Sequence, residues 1–430
     1  MELSESRPTN GQWRAMFATM FGNILEIYDF VAYGIFAVPI SKTFFPAGND
    51  LFALILTLVT FAVGFLARPI GALVIGRYAD RVGRKKALSL TLNMMGLGTL
   101  VMVATPSYAA IGFAAPCIIL MGRLLQGFSA GGEIGSAITF AIESVPKHRR
   151  AFASSIQKAA QGAGVLLTAL VGLSLSSIFT DAQINAWAWR LVFVVGLLIV
   201  PVGLYIRRSL PETFHAGTRG RETGLLSQLG KFKGLVAYGV LVEIFATVSA
   251  YVANYFTTYA THELHMPLAK GYVGQIAFSL TVMIATPISG IIADRFGYRR
   301  IMLIGAVATA MFIYPLIAYL NANPTVHALI GVRVAIAIMS SLYGACTGLA
   351  LASIFPEDFR ATGTGLAYSI GVTFFGGFTP AIVATLIGFT GNKLIIGYYV
   401  MAAALISSTA LVLGARRNRT ASAERAYGAR

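Results

Sequence analysis

Apolar residues fall into twelve long stretches separated by short polar breaks, at about residues 14–38, 51–75, 87–105, 110–141, 151–178, 187–206, 233–260, 270–292, 301–320, 325–353, 361–388 and 394–414. A helix rises about 1.5 Å per residue, so about 20 apolar residues cross a hydrocarbon core of about 30 Å. Each stretch therefore predicts a membrane-spanning helix. The stretches lack the alternation over about ten residues that marks a barrel strand. The expected fold class is an all-α membrane protein with twelve transmembrane helices.

Composition agrees with the pattern. Of 430 residues, 56% are hydrophobic and 12% charged, against about 25% charged in soluble domains. The formal charge of +16 would ordinarily raise nucleic acid as a partner. Its distribution points elsewhere: 25 Lys and Arg fall on the side of the chain's two ends, 4 on the opposite side and 4 inside spans. Such a bias places both termini in the cytoplasm, with the chain a multi-pass protein of the inner (cytoplasmic) membrane. The charge becomes a topology signal and a contact with anionic lipid, and nucleic acid drops out as a partner. Cys117 and Cys346 both lie in apolar stretches, and the five His are scattered, so neither a disulfide framework nor a metal site is expected. The N-terminal segment carries Glu2 and Glu5 rather than a basic run, so the first apolar stretch is read as a retained helix. Trp13, Trp187 and Trp189 fall at span ends and are expected in the interfacial belt.

The chain repeats itself. A shift of 214 places Gly76, Ala79, Asp80, Arg81 and Gly83 on Gly290, Ala293, Asp294, Arg295 and Gly297. A shift of 210 places Arg123, Pro146, Arg150 and Ala151 on Arg333, Pro356, Arg360 and Ala361. The expected organisation is an N-terminal six-helix half (1–207), a central cytoplasmic linker (208–232) and a C-terminal six-helix half (233–430) with a short basic tail. Parallel duplicated halves suit a carrier that works by alternating access around a midplane site.

Eight ionisable residues fall inside spans: Glu26, Asp29, Arg68, Arg123, Glu133, Lys158, Glu243 and Arg333. At about 2.5–3.5 kcal/mol for each charge near a helix centre, all eight facing lipid would cost on the order of 20–28 kcal/mol. They are expected to face the bundle interior. At 100° per residue, Arg123, Gln126 and Glu133 share an arc of about 80° on the fourth span. Asn23, Glu26 and Asp29 share about 120° on the first, and Gln157, Lys158 and Gln161 about 100° on the fifth. The second half is drier, with polarity from groups such as Tyr251, Asn254, Tyr343 and Tyr368. Two readings stay open for these charges: structural ion pairing, or cations that bind substrate carboxylates beside carboxyls that exchange protons. Arg68, followed by Pro69 near a span end, is expected to snorkel to the cytoplasmic surface.

The run Gly76-Arg-Tyr-Ala-Asp80-Arg-Val-Gly83-Arg84-Lys85-Lys86 resembles the loop between the second and third helices of the major facilitator superfamily. The resemblance implies a gating role for Asp80 and Arg84, and for Asp294 in the second copy, where Tyr298 stands in place of Arg84. Gly22 to Phe30, Arg68-Pro69-Ile-Gly71, Gly122 to Glu133, Gln157 to Gln161 and Trp189-Arg190 together look like its metabolite:proton symporter branch. Thr43 to Pro46 and Gly376 to Pro380 are most similar to citrate and tricarballylate carriers. Lys158 departs from that branch, where a small residue is usual between the two glutamines.

The expected function is a proton-coupled symporter that imports a small carboxylate, citrate or a related tricarboxylate, as a functional monomer. Arg123, Lys158, Gln126, Gln157, Gln161, Asn23, Arg333 and Tyr343 are the expected substrate-binding residues, and Glu26, Asp29 and Glu133 the expected proton-coupling ones. No cofactor is expected beyond protons as coupling ion. A symporter of a dicarboxylate, shikimate or a zwitterionic osmolyte is the alternative within the class, and an ion channel the alternative outside it. An enzyme is not expected, since no Ser/His/Asp set, HExxH or nucleotide-binding loop occurs.

Overall fold

The computed structural model describes residues 10–45, 48–82, 84–131, 134–143, 145–197, 201 and 225–427. Among the described residues the regular structure is helical, as it must be where lipid offers no partner for backbone N–H and C=O groups.

Among the described residues eight helices are each long and apolar enough to cross a membrane: Asp50–Ile75, Lys147–Ile178, Gly230–His262, Leu268–Phe296, Tyr298–Ala322, Val326–Ala352, Arg360–Thr390 and Ile395–Gly414. The first predicted span is a ninth, made of Asn23–Ile35 and Ala37–Phe44 bent by 63°. Pro39 explains the bend, because it has no N–H for the Ile35 carbonyl and its ring crowds that turn. The third and fourth predicted spans contain the shorter apolar helices Leu90–Ala104 and Ala114–Ala130, the latter followed by Ile134–Glu143. Of the sixth, residues 190–197 are helical after a π-helical turn at Ile184–Ala188, and 198–200 and 202–206 lie outside the described residues. Counted in chain order, the helices fall where the twelve apolar stretches placed them.

Two expectations change. The 76–86 segment is not an open loop: helix Asp50–Val82 runs to within one residue of helix Arg84–Ala104. Arg and Lys are good helix formers, so leaving the hydrocarbon does not end the helix. Of the expected linker, Leu225 onward belongs to the helix Leu225–His262, and 208–224 lie outside the described residues. Finally, Trp189 is not interfacial: it is fully buried, with its indole N–H donating to Thr43 Oγ1 at 3.1 Å. Trp187 is 46% exposed, and the side chain of Trp13 lies outside the described residues.

Two large apolar clusters, one mainly in each half, form the cores. The halves meet most extensively where the fifth span packs along the eighth. The second span meets the eleventh, which passes through a π-helical segment, Val372–Gly377, at this seam. There Thr373 Oγ1 donates to the Phe65 carbonyl at 3.0 Å. Small residues allow such close crossings without a hydrophobic drive between helices.

Candidate functional site at the seam between the halves

Arg123 on the fourth span is fully buried. Its guanidinium carbon lies 4.3 Å from the Phe30 ring centroid, 4.8 Å from Tyr33 and 5.1 Å from Phe61, so the cation is boxed by aromatic faces. One helical turn along, Gln126 Oε1 accepts from Arg123 Nη1 at 2.8 Å. The Gln126 amide turns the other way, toward Thr99 Oγ1 at 2.9 Å and Asp29 Oδ2 at 3.2 Å, and Thr99 also donates to Asp29. Arg123 and Asp29 are thus joined through Gln126 and Thr99, across the first, third and fourth spans. Several buried polar atoms have no hydrogen-bond partner: Arg123 Nε and Nη2, Asp29 Oδ1, and both side-chain atoms of Asn23. Such groups cost about 1–3 kcal/mol each when left unmet, more when charged, so the site holds donors and acceptors to spare.

Arg68 does not snorkel. It is 2% exposed, with Nη2 at 3.6 Å from Glu26 Oε1 and its guanidinium 4.5 Å and 4.7 Å from the Phe30 and Phe65 centroids. The same ring, Phe30, therefore contacts both Arg68 and Arg123. The expectation failed because counting residues from Pro69 places Arg68 near a polar break, whereas the helix continues to Val82 and carries Arg68 deep into the bundle.

The fifth span brings Gln157, Lys158 and Gln161 to a small cavity, with Glu243, Thr347 and Tyr368 from the second half on the facing wall. Lys158 Nζ donates to Gln161 Oε1 at 3.2 Å. Glu243 is 3% exposed, receives Thr247 Oγ1 on Oε1 at 3.4 Å and leaves Oε2 without a hydrogen-bond partner. Tyr251, on the Glu243 helix, packs edge-on against Phe65 with centroids 5.4 Å apart and lies 6.1 Å from Phe61 of the aromatic box.

The remaining expected residues divide. Arg333 is buried in the second half between Phe256 and Phe278, at 5.5 Å and 5.1 Å, and donates to Gln275. It repeats the Arg123 pattern of aromatic faces plus a glutamine, but away from the Lys158 cavity. Tyr343 gives its hydroxyl to the Val242 carbonyl at 2.6 Å and is not among the residues lining that cavity. Asp294 spans the halves: Oδ1 accepts from Ala151 N at 2.9 Å and Oδ2 from Phe152 N at 3.0 Å, at the start of helix Arg150–Ile178. A carboxylate there satisfies two orphan N–H groups and complements the helix dipole. Arg360 Nη1 meets Glu143 Oε1 at 2.7 Å, again one residue from each half. Glu133 and the side chains of Asp80 and Arg84 lie outside the described residues.

Sequence reasoning missed Thr99 and gave no role to Arg68 or Glu243. A threonine carries no charge signal, and juxtaposition across two halves is not encoded in the period of either helix.

Comparison with known proteins follows the same lines. The family model "Sugar (and other) transporter" matches residues 15–231 and the model "Major Facilitator Superfamily" residues 239–429. The chain is 35% identical over 409 residues to a citrate-proton symporter of Salmonella typhi, covering 94% of each. It is 33% identical over 393 residues to an alpha-ketoglutarate permease of Escherichia coli (strain K12), covering 90% of this chain and 89% of that one. Its fold superposes on a partially occluded inward-open structure of the xylose transporter XylE from E. coli with a TM-score of 0.73 at 16% identity, over 93% of this chain and 96% of that one. The chain belongs to the major facilitator superfamily of membrane transporters.

Proposed function

We propose that the protein is an inner-membrane symporter that imports citrate or a related tricarboxylate together with protons, by alternating access of its two halves and as a monomer with both termini in the cytoplasm. The observation that carries this reading is the pairing of two cations, Arg123 and Lys158, with glutamines of their own helices in the buried seam. Two fixed cations with amide donors suit a substrate with several carboxylates, and the citrate-proton symporter relative carries such a substrate. Gln126, Gln157, Gln161 and Asn23 supply neutral hydrogen bonds. Asp29, Glu26 and Glu133 exchange the coupling protons. Asp294, with Asp80 and Arg84 in the first copy, latches the Lys/Arg-rich side.

The test is uptake of labelled citrate into proteoliposomes under an inward proton gradient, with excess unlabelled tricarballylate, α-ketoglutarate, shikimate or betaine. Accumulation blocked by tricarballylate and not by betaine is expected. Indifference to tricarballylate with competition by another compound moves the substrate elsewhere in the branch.

A further inference from the structure

We propose that Glu243 and Lys158 are a charge couple split between the halves, in which binding of a substrate carboxylate to Lys158 obliges Glu243 to take up a proton. The inference rests on the transport reading above and adds a proton site in the second half, where none was expected.

The cavity shows why. Each half contributes one charged side chain to it, of opposite sign, and among the described residues no other Asp, Glu, Lys, Arg or His lines it. Neither charge can swing away easily. A Cβ on Gly371 would lie 2.8 Å from Glu243 Cγ, so the glutamate stem is wedged against the eleventh span. Across the cavity, Gly344 passes within ordinary contact of the lysine stem, 3.5 Å from a built Cβ to Cε. The ammonium is partly met by Gln161, while Glu243, which lines the cavity, leaves Oε2 buried with no hydrogen-bond partner. The two do not close into an ion pair within 4.0 Å, which leaves room between them for a carboxylate.

Charge counting supplies the coupling. With the cavity vacant, the ammonium and the carboxylate offset each other. A substrate carboxylate on Lys158 leaves one negative charge uncompensated in a dry site, a strongly unfavourable state. One proton from the solution on the side that faces the cavity, bonding to Oε2, restores neutrality. When substrate leaves on the other side, Lys158 again favours the ionised glutamate and the proton departs with it. Substrate affinity and proton affinity raise each other by the same factor, as linkage requires. The other titratable groups around Glu243 are tyrosines, namely Tyr368 of the eleventh span, Tyr343 of the tenth and Tyr251 on its own helix. Phenols ordinarily stay neutral below about pH 9, which leaves Glu243 and Lys158 as the groups that set the cavity's charge.

The experiment compares the full-length wild type with Glu243→Gln and Glu243→Asp in proteoliposomes, using whichever of citrate, tricarballylate and α-ketoglutarate the wild type accumulates. Three quantities are read: gradient-driven accumulation, exchange of internal for external label at equal pH, and the pH dependence of apparent affinity from 5.5 to 8. In the wild type affinity falls as pH rises. In Glu243→Gln, a fixed mimic of the protonated form, the ratio of accumulation to exchange should fall at least about tenfold, the size of a 1.4 kcal/mol change in coupling. Its pH profile should flatten to that of the substrate's own ionisation, and Glu243→Asp should recover part of both. Wild-type accumulation and pH profile in Glu243→Gln overturn the inference while leaving the transport reading intact. So does an equal loss of accumulation and exchange with the wild-type pH profile, which marks a packing role. If Glu243→Gln does not reach the membrane, Glu243→Asp decides alone: a flat profile there overturns the inference. A wild type that accumulates none of the three removes the transport reading and this inference with it.

Discussion

Arg123 shows how much a single side chain is asked to do. Three aromatic faces fix its plane, Gln126 holds one nitrogen, and two N–H positions remain for a ligand. Hydrogen bonds to a charged group contribute about 1.5–3 kcal/mol each, so Arg123→Gln should lower citrate uptake by about a hundredfold at normal membrane abundance, measured by transport and by immunoblot of the membrane fraction. Arg123→Lys should not rescue it, because an ammonium neither stacks as a plane nor presents a fork. Uptake by Arg123→Gln near the wild-type rate would falsify the role. Much of this site was legible. Helical spacing put Arg123 beside Gln126 and Lys158 beside Gln161, and the structure makes both contacts. What spacing could not reveal were contacts between distant parts of the chain. Thr99 meets Asp29 across 70 residues, and Glu243 faces Lys158 from the other half.

At the scale of elements, the apolar pattern located the spans because the cost of burying unmet backbone and charge is high everywhere in lipid. It did not locate their irregularities. The bend at Phe36 and the π-helical Val372–Gly377 leave the hydropathy unchanged while they re-aim side chains at the seam. Glycines test the crossings. A Cβ on Gly127 would sit 1.7 Å from the Gly64 carbonyl oxygen, within one half. Gly127→Ala should force the second and fourth spans apart at about 1–3 kcal/mol, lowering folded yield and Tm. A Cβ on Gly135 would sit 2.5 Å from the Ala361 oxygen, but across the halves. Gly135→Ala is expected to leave each half folded and to hinder their closure on the Lys/Arg-rich side. Thermal unfolding followed by fluorescence separates the two, with Tm lowered in Gly127→Ala and little moved in Gly135→Ala.

For the whole molecule, the decisive contacts are those that must break when the seam opens. Asp294 binds two backbone N–H groups of the opposite half, a charge-assisted contact, whereas the Arg360–Glu143 pair is partly solvated and worth about 0–1 kcal/mol. Asp294→Ala should therefore shift the equilibrium toward opening on the Lys/Arg-rich side by about 1–2 kcal/mol, the usual worth of such a cap. Alkylation of a Thr347→Cys reporter from that side, with Cys117 and Cys346 replaced, should accelerate about 5- to 30-fold. An unchanged rate would show that the latch lies elsewhere. The repeat between halves anticipated Asp294 at this position, since its residue pattern matches around Asp80. Its partner at the start of the fifth span emerges only from the fold.

Coupled movement of carboxylate and proton is the central claim, and it is read most directly from liposomes that hold a pH dye and no imposed gradient. Addition of external citrate should acidify the lumen in step with label entry, and a protonophore should abolish the acidification while label still equilibrates. Citrate entry without any movement of protons would contradict it.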